Sequence, residues 1–90
     1  MKGYSEVREI QNRSDIVIVA AELARAYASA RREWFMVGIP DASAVATRIE
    51  HLEGLCRDHG SSVAESGGVL VERRDGRYFV GVDKVLQQLL

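Results

Sequence analysis

Asp75-Gly76 stands between two runs of alternating side chains, Val69 to Arg74 and Arg77 to Val82, and no other feature of the chain limits its fold as much. A two-residue connection between antiparallel strands demands positive φ at both central positions, which Asp and Gly tolerate. Counting outward then fixes the register: Arg74 faces Arg77, Arg73 faces Tyr78, Val71 faces Val80 and Val69 faces Val82. Side chains in a strand alternate between faces, so Val69, Val71, Tyr78, Val80 and Val82 share one face with Arg73. Leu70, Glu72 and Phe79 fall on the other. A solitary hairpin is marginal in water, so this one needs helices or a further strand against it.

Two helices supply the cover. Ser14-Asp15 is a helix start, because either side chain accepts a hydrogen bond from a free N–H of the first turn. Ile16, Ala20, Leu23, Tyr27, Ala30 and Trp34 form an apolar ladder stepping by three or four. Val17, Ala21, Ala24, Ala28 and Phe35 form a second beside it, leaving Glu22, Arg25, Ser29, Arg32 and Glu33 as a narrow polar stripe. The pattern predicts a helix running to about Val37, ended by Gly38-Ile39-Pro40. Asp41 or Ser43 caps a second helix to His59, with Gly60 closing it and Val45, Ile49, Leu52 and Cys56 on its inner seam. Ser61 to Gly68 reads as a loop of small residues. Asp83 caps a last helical turn or two toward Leu90. Met1 to Arg13 reads as a short helix, an arm or a loose edge strand, with Tyr4, Val7 and Ile10 as its apolar points.

The expectation is therefore an α+β fold in a single domain of residues 1–90. A long helix (about 15–37) and a second (about 42–59) form a helical hairpin. A C-terminal β-hairpin (about 69–74 and 77–82) and a short terminal helix complete it, with 1–13 as a flexible or edge arm.

Ninety residues bury a thin core, only about 60–65% of the unfolded surface, so a partner adds useful stability. One cysteine cannot form an internal disulfide and fits a reducing, cytoplasmic setting. No signal-peptide pattern opens the chain, and the most apolar run, Ile16 to Ala21, is too short to span a bilayer. Twelve basic and thirteen acidic residues nearly cancel, and they cancel within each half as well. Such a chain lacks the global field that drives non-specific nucleic-acid binding, and association with a second copy is not opposed by charge.

Few residues suggest chemistry. Cys56, His59 and His51 lie near one another in sequence, but a structural zinc site needs four ligands. A buried thiol and two surface imidazoles outweigh half a metal site. Glu50 and Glu53 sit beside Arg48 and Arg57 as exposed charge pairs do, without a pocket that would make them an acid and a base. The glycines match no phosphate loop. Neither catalytic residues nor a metal or cofactor site are expected.

Two groups suggest contacts. Tyr27, Trp34 and Phe35 are the candidate partner interface: neighbouring helical residues point about 100° apart, so these rings cannot all serve one seam. Arg73, Arg74 and Arg77 surround the hairpin tip and are the candidate nucleic-acid contacts, weighed against a tip that is merely solvated.

The segment LCRDHGSSVAESGGVLVERRDGRYFV resembles the end of a winged helix-turn-helix regulator, with LCRDHGSS as second helix and turn and VLVERRDGRYFV as wing strands. DASAVATRIEHLEGL, taken alone, resembles a recognition helix in an alternative alignment. The resemblance covers at most about a third of the chain and implies DNA binding through a recognition helix and the three wing arginines. The preferred reading is a non-enzymatic protein-interaction module, homodimeric or docked on another protein, with no membrane partner. Small phage and mobile-element regulators and inhibitors share this motif-free character as a matter of base rate.

Overall fold

The computed structural model describes residues 3–30 and 41–90. Its elements in chain order are β1 (Tyr4–Ile10), α1 (Arg13–Ala30), α2 (Ala42–His59), β2 (Val63–Ser66), β3 (Val69–Arg74), β4 (Arg77–Asp83) and α3 (Lys84–Gln87). The strands make one antiparallel sheet in the order β1-β4-β3-β2. The fold is α+β, as the sequence predicts.

The central hairpin has the register that Asp75-Gly76 dictates: Arg74–Arg77, Arg73–Tyr78, Val71–Val80 and Val69–Val82 are cross-strand pairs. Asp75 and Gly76 take φ of 52° and 76°, the two positive values this turn needs. Val69, Val71, Val80 and Val82 are fully buried beneath the helices. On α1 it is the ladder Ile16, Ala20, Leu23 and Tyr27, joined by Val19 and Ala26, that enters the core. On α2 the buried seam is Val45, Ile49, Leu52 and Cys56, at the expected four-three-four spacing. Leu86 of α3 closes one end. No described polar or charged side chain is buried.

Helix ends follow local chemistry. Asp41 accepts from the Ala44 N–H at 2.8 Å, and Gly60 ends α2 at φ 69°. Asp83 accepts from the Val85 N–H at 2.8 Å and starts α3. α1 begins at Arg13, ahead of the expected cap. Asn12 Oδ1 accepts from the Asp15 N–H at 3.3 Å, while the Asp15 carboxylate accepts from the N–H groups of Gln11 (2.9 Å) and Asn12 (3.2 Å). This is a reciprocal capping box, with Asp15 inside the helix. Its far end, expected near 37, and the break at 38–40 lie outside the described residues.

One expectation is corrected and one open reading resolves. Ser61 to Gly68 is not a plain loop: β2 pairs with β3, Val63 with Glu72 through Ser66 with Val69. Gly67-Gly68, at φ 61° and 84°, forms a second two-residue turn of the same class as Asp75-Gly76. β2 also occupies the place where the winged-helix resemblance puts a recognition helix. The N-terminal segment resolves into the edge-strand alternative, paired along β4. A bulge between Glu6 and Arg8 breaks its alternation, so Val7 and Ile10, three apart, both turn toward the core. Among the described residues no helix is long and apolar enough to cross a membrane.

Candidate functional site

Both long helices pack on one side of the sheet, and among the described residues nothing covers its other face. Register assigns that face: Tyr4, Glu6 and Glu9 from β1; Arg77, Phe79, Gly81 and Asp83 from β4; Leu70, Glu72 and Arg74 from β3; Val63 and Glu65 from β2.

The face is organised around Phe79. The Arg74 guanidinium lies 4.0 Å from its ring centroid and that of Arg77 lies 5.7 Å away. Arg74 is shared between Glu6 and Glu72, the latter at 3.1 Å. Arg77 grips Glu9 with two hydrogen bonds, at 2.7 and 2.6 Å. That grip holds the Glu9 carboxyl below its usual range. Further along, the Tyr4 phenol lies against the Glu65 carboxylate. The hydrogen bond to Glu65, with burial and the charges of Glu65 and Asp83, pushes Tyr4 up to about 12. Tyr4, Val63, Glu65, Leu70 and Glu72 line an open hollow of about 480 Å³ beside β2. Leu70 at its floor is only 5% exposed although it faces away from the helices.

The three tip arginines separate. Arg74 and Arg77 lie on the uncovered face within the carboxylate ladder. Arg73 turns to the helix side, where its Nη2 donates to the Gly60 carbonyl at 3.1 Å, at the end of α2. They form no single cationic patch. Tyr27 is a core residue, 1% exposed, whose hydroxyl donates to the Gly67 carbonyl at 2.6 Å. Burial pushes it up to about 12, against a smaller lowering by Arg48. Trp34 and Phe35 lie outside the described residues. The large apolar side chains that α1 presents to solvent, among the described residues, are Val17 and Ile18, 53% and 42% exposed.

Cys56 and the histidines part company. The Cys56 thiol is buried against the Val71 carbonyl at 3.6 Å, and burial pushes its pKa up, away from thiolate chemistry. His51 and His59 are exposed on α2. Among the described residues no three His, Cys, Asp or Glu side chains converge on a metal position. Glu50 pairs with Arg13 and Glu53 with Arg57, bordering a second open hollow between the start of α1 and α2.

Sequence reasoning found the hairpin and its arginines but missed Glu6 and Glu9, which engage Arg74 and Arg77, because they sit 68 residues away on β1. It also missed β2 and its hollow, although Gly67-Gly68 before a valine run was a hairpin signal. No family model, curated protein or solved structure matches this chain.

Proposed function

We propose that the chain is a non-enzymatic protein-interaction module that pairs with a second copy through the solvent side of α1. The observation that carries the reading is the exposure of Val17 and Ile18, two adjacent large aliphatic side chains on the face of α1 turned away from the sheet. Ile18, Glu22, Arg25 and Ser29 make one stripe at spacings of four, three and four. Laid antiparallel about a two-fold axis, that stripe complements itself. Ile18 meets Ser29 of the partner subunit, a large side chain against a small one, and Glu22 meets Arg25 of the partner subunit. The near-neutral chain does not oppose association. A free, buried Cys56 suits the cytoplasm, where thiols stay reduced.

DNA binding by Arg73, Arg74 and Arg77 has less behind it. A phosphate would have to displace Glu6, Glu72 or Glu9 from two of the arginines, and the third faces the helix side.

Light scattering over a concentration series tests the proposal. The expected outcome is a mass of two 10.0 kDa chains that falls to one in Ile18→Lys, with the circular dichroism unchanged. Ile18 is partly exposed and the substitution leaves the core intact. A monomeric wild-type protein, or a dimer that persists in both Ile18→Lys and Val17→Lys, rejects it.

A further inference from the structure

Among the described residues the sheet has two edges, β1 and β2, and they are built differently. β1 carries a bulge at Glu6/Arg8, a device that spoils an edge for further pairing. β2 has no bulge, proline or lysine. Its hydrogen bonding with β3 alternates along the strand: the Arg73 N–H donates to the Ser62 carbonyl at 2.8 Å, so Ser62, Ala64 and Ser66 direct their backbone groups inward. The N–H and C=O groups of Val63 and Glu65 therefore point outward, where the sheet ends. The same two residues send their side chains onto the uncovered face, with Val63 46% exposed, at the rim of the Tyr4–Leu70 hollow.

Charge says what fits there. The uncovered face carries five carboxylates, Glu6, Glu9, Glu65, Glu72 and Asp83, against the two guanidiniums of Arg74 and Arg77. Both guanidiniums lie toward the hairpin tip and are held by Glu6, Glu72 and Glu9. Beside β2 itself stand Glu65 and Glu72. A second copy pairing β2 to β2 about Ala64 would bring Glu65 and Glu72 of both chains onto one face, a like-charge arrangement that opposes pairing. A cationic strand meets the opposite situation.

We propose that the free edge of β2 takes up an extended, basic segment of another protein as a fifth strand. The segment's backbone pairs with Val63 and Glu65, its Lys or Arg side chains lie over the hollow toward Glu65 and Glu72, and an apolar neighbour packs on Val63. Specificity comes from the carboxylates and most of the affinity from the backbone ladder. This site is separate from the α1 surface, and its test does not depend on self-association there.

The probe is a capped synthetic peptide alternating lysine or arginine with valine, titrated into the isotopically labelled full chain and followed by backbone amide shifts. The expected result is saturable binding with shifts centred on 62–66, weakening as salt rises. Val63→Pro removes an N–H that β3 does not use, and Glu65→Lys reverses the charge; each should weaken binding about tenfold or more. A glutamate-valine peptide of the same length should not bind. No binding up to about 1 mM, equal binding of the acidic peptide, or shifts that avoid β2 would overturn the proposal. So would a wild-type dimer that Val63→Pro alone abolishes, since the edge would then belong to a second copy.

Discussion

Tyr27 shows what a single side chain contributes here and why its place was hard to read. Its position on an apolar helix ladder was plain, but an aromatic ring on such a ladder serves core and interface equally well until the packing is known. The hydroxyl decides it: a buried phenol needs an acceptor, and the Gly67 carbonyl supplies one. Tyr27→Phe leaves that carbonyl without this donor and should cost about 1 kcal/mol in denaturant unfolding at neutral pH. The same variant should alter alkaline behaviour. Tyr27 ionises near 12 when folded, against about 10 for an unfolded tyrosine. The protonated form is thus favoured by folding, so the contribution is whole below pH 10 and disappears as pH climbs toward 12. Wild-type stability should fall across that window and fall less in Tyr27→Phe. Equal slopes in unfolding curves taken at pH 9, 10 and 11 would contradict this account.

Among the elements, those with strong local chemistry were legible. α2 needed only Asp41, Gly60 and a regular seam. The central hairpin needed only Asp75-Gly76. β1 and β2 were less legible because neighbours make them strands. Past Val63, β2 contains only alanine, glutamate and serine, and it exists because β3 lies beside it with Ala64 small enough to fit on the helix side. β1 hides its period behind a bulge. α1 starts slightly ahead of Ser14-Asp15, because Asp15 resembles a first cap and acts instead as the inner half of a capping box. Asp15→Ala removes acceptors for Gln11 and Asn12 and the ion pair with Arg8 at 3.2 Å, and should cost roughly 1–2 kcal/mol. Asp15→Asn, which keeps an acceptor oxygen, should cost less. Paired chemical denaturation curves compare the two.

For the whole molecule, the contact that matters most joins the two ends of the sequence. β1 pairs with β4 along nearly its whole length, and the Lys84 N–H donates to the Gly3 carbonyl at 3.3 Å. β1 also contributes Ile10 to the core and Glu6 and Glu9 to the arginine ladder. The sequence alone left residues 1–13 open between a short helix, an arm and an edge strand, because nothing local announces a partner so distant. Deleting residues 1–10 should strip the edge from β4 and uncover its buried valines. The expected result is loss of the cooperative thermal transition, followed by circular dichroism. Removing only Leu89 and Leu90, which are exposed beyond α3, should leave that transition in place. Retention of a sharp transition without residues 1–10 would mean that β2, β3 and β4 suffice with the helices.

The pairing of β1 with β4 also sets a timetable. A ribosome releases β1 before these other elements and β4 only after both long helices, β2 and β3 have been made. Until Arg77–Asp83 emerges, β1 has no strand to join, and the valine side chains of β3 have only half their sheet. Helices form from neighbours within microseconds, but this sheet closes through contacts of long sequence separation. The chain thus completes its fold after translation of β4, and for the whole of that interval its first strand is available to whatever else is nearby.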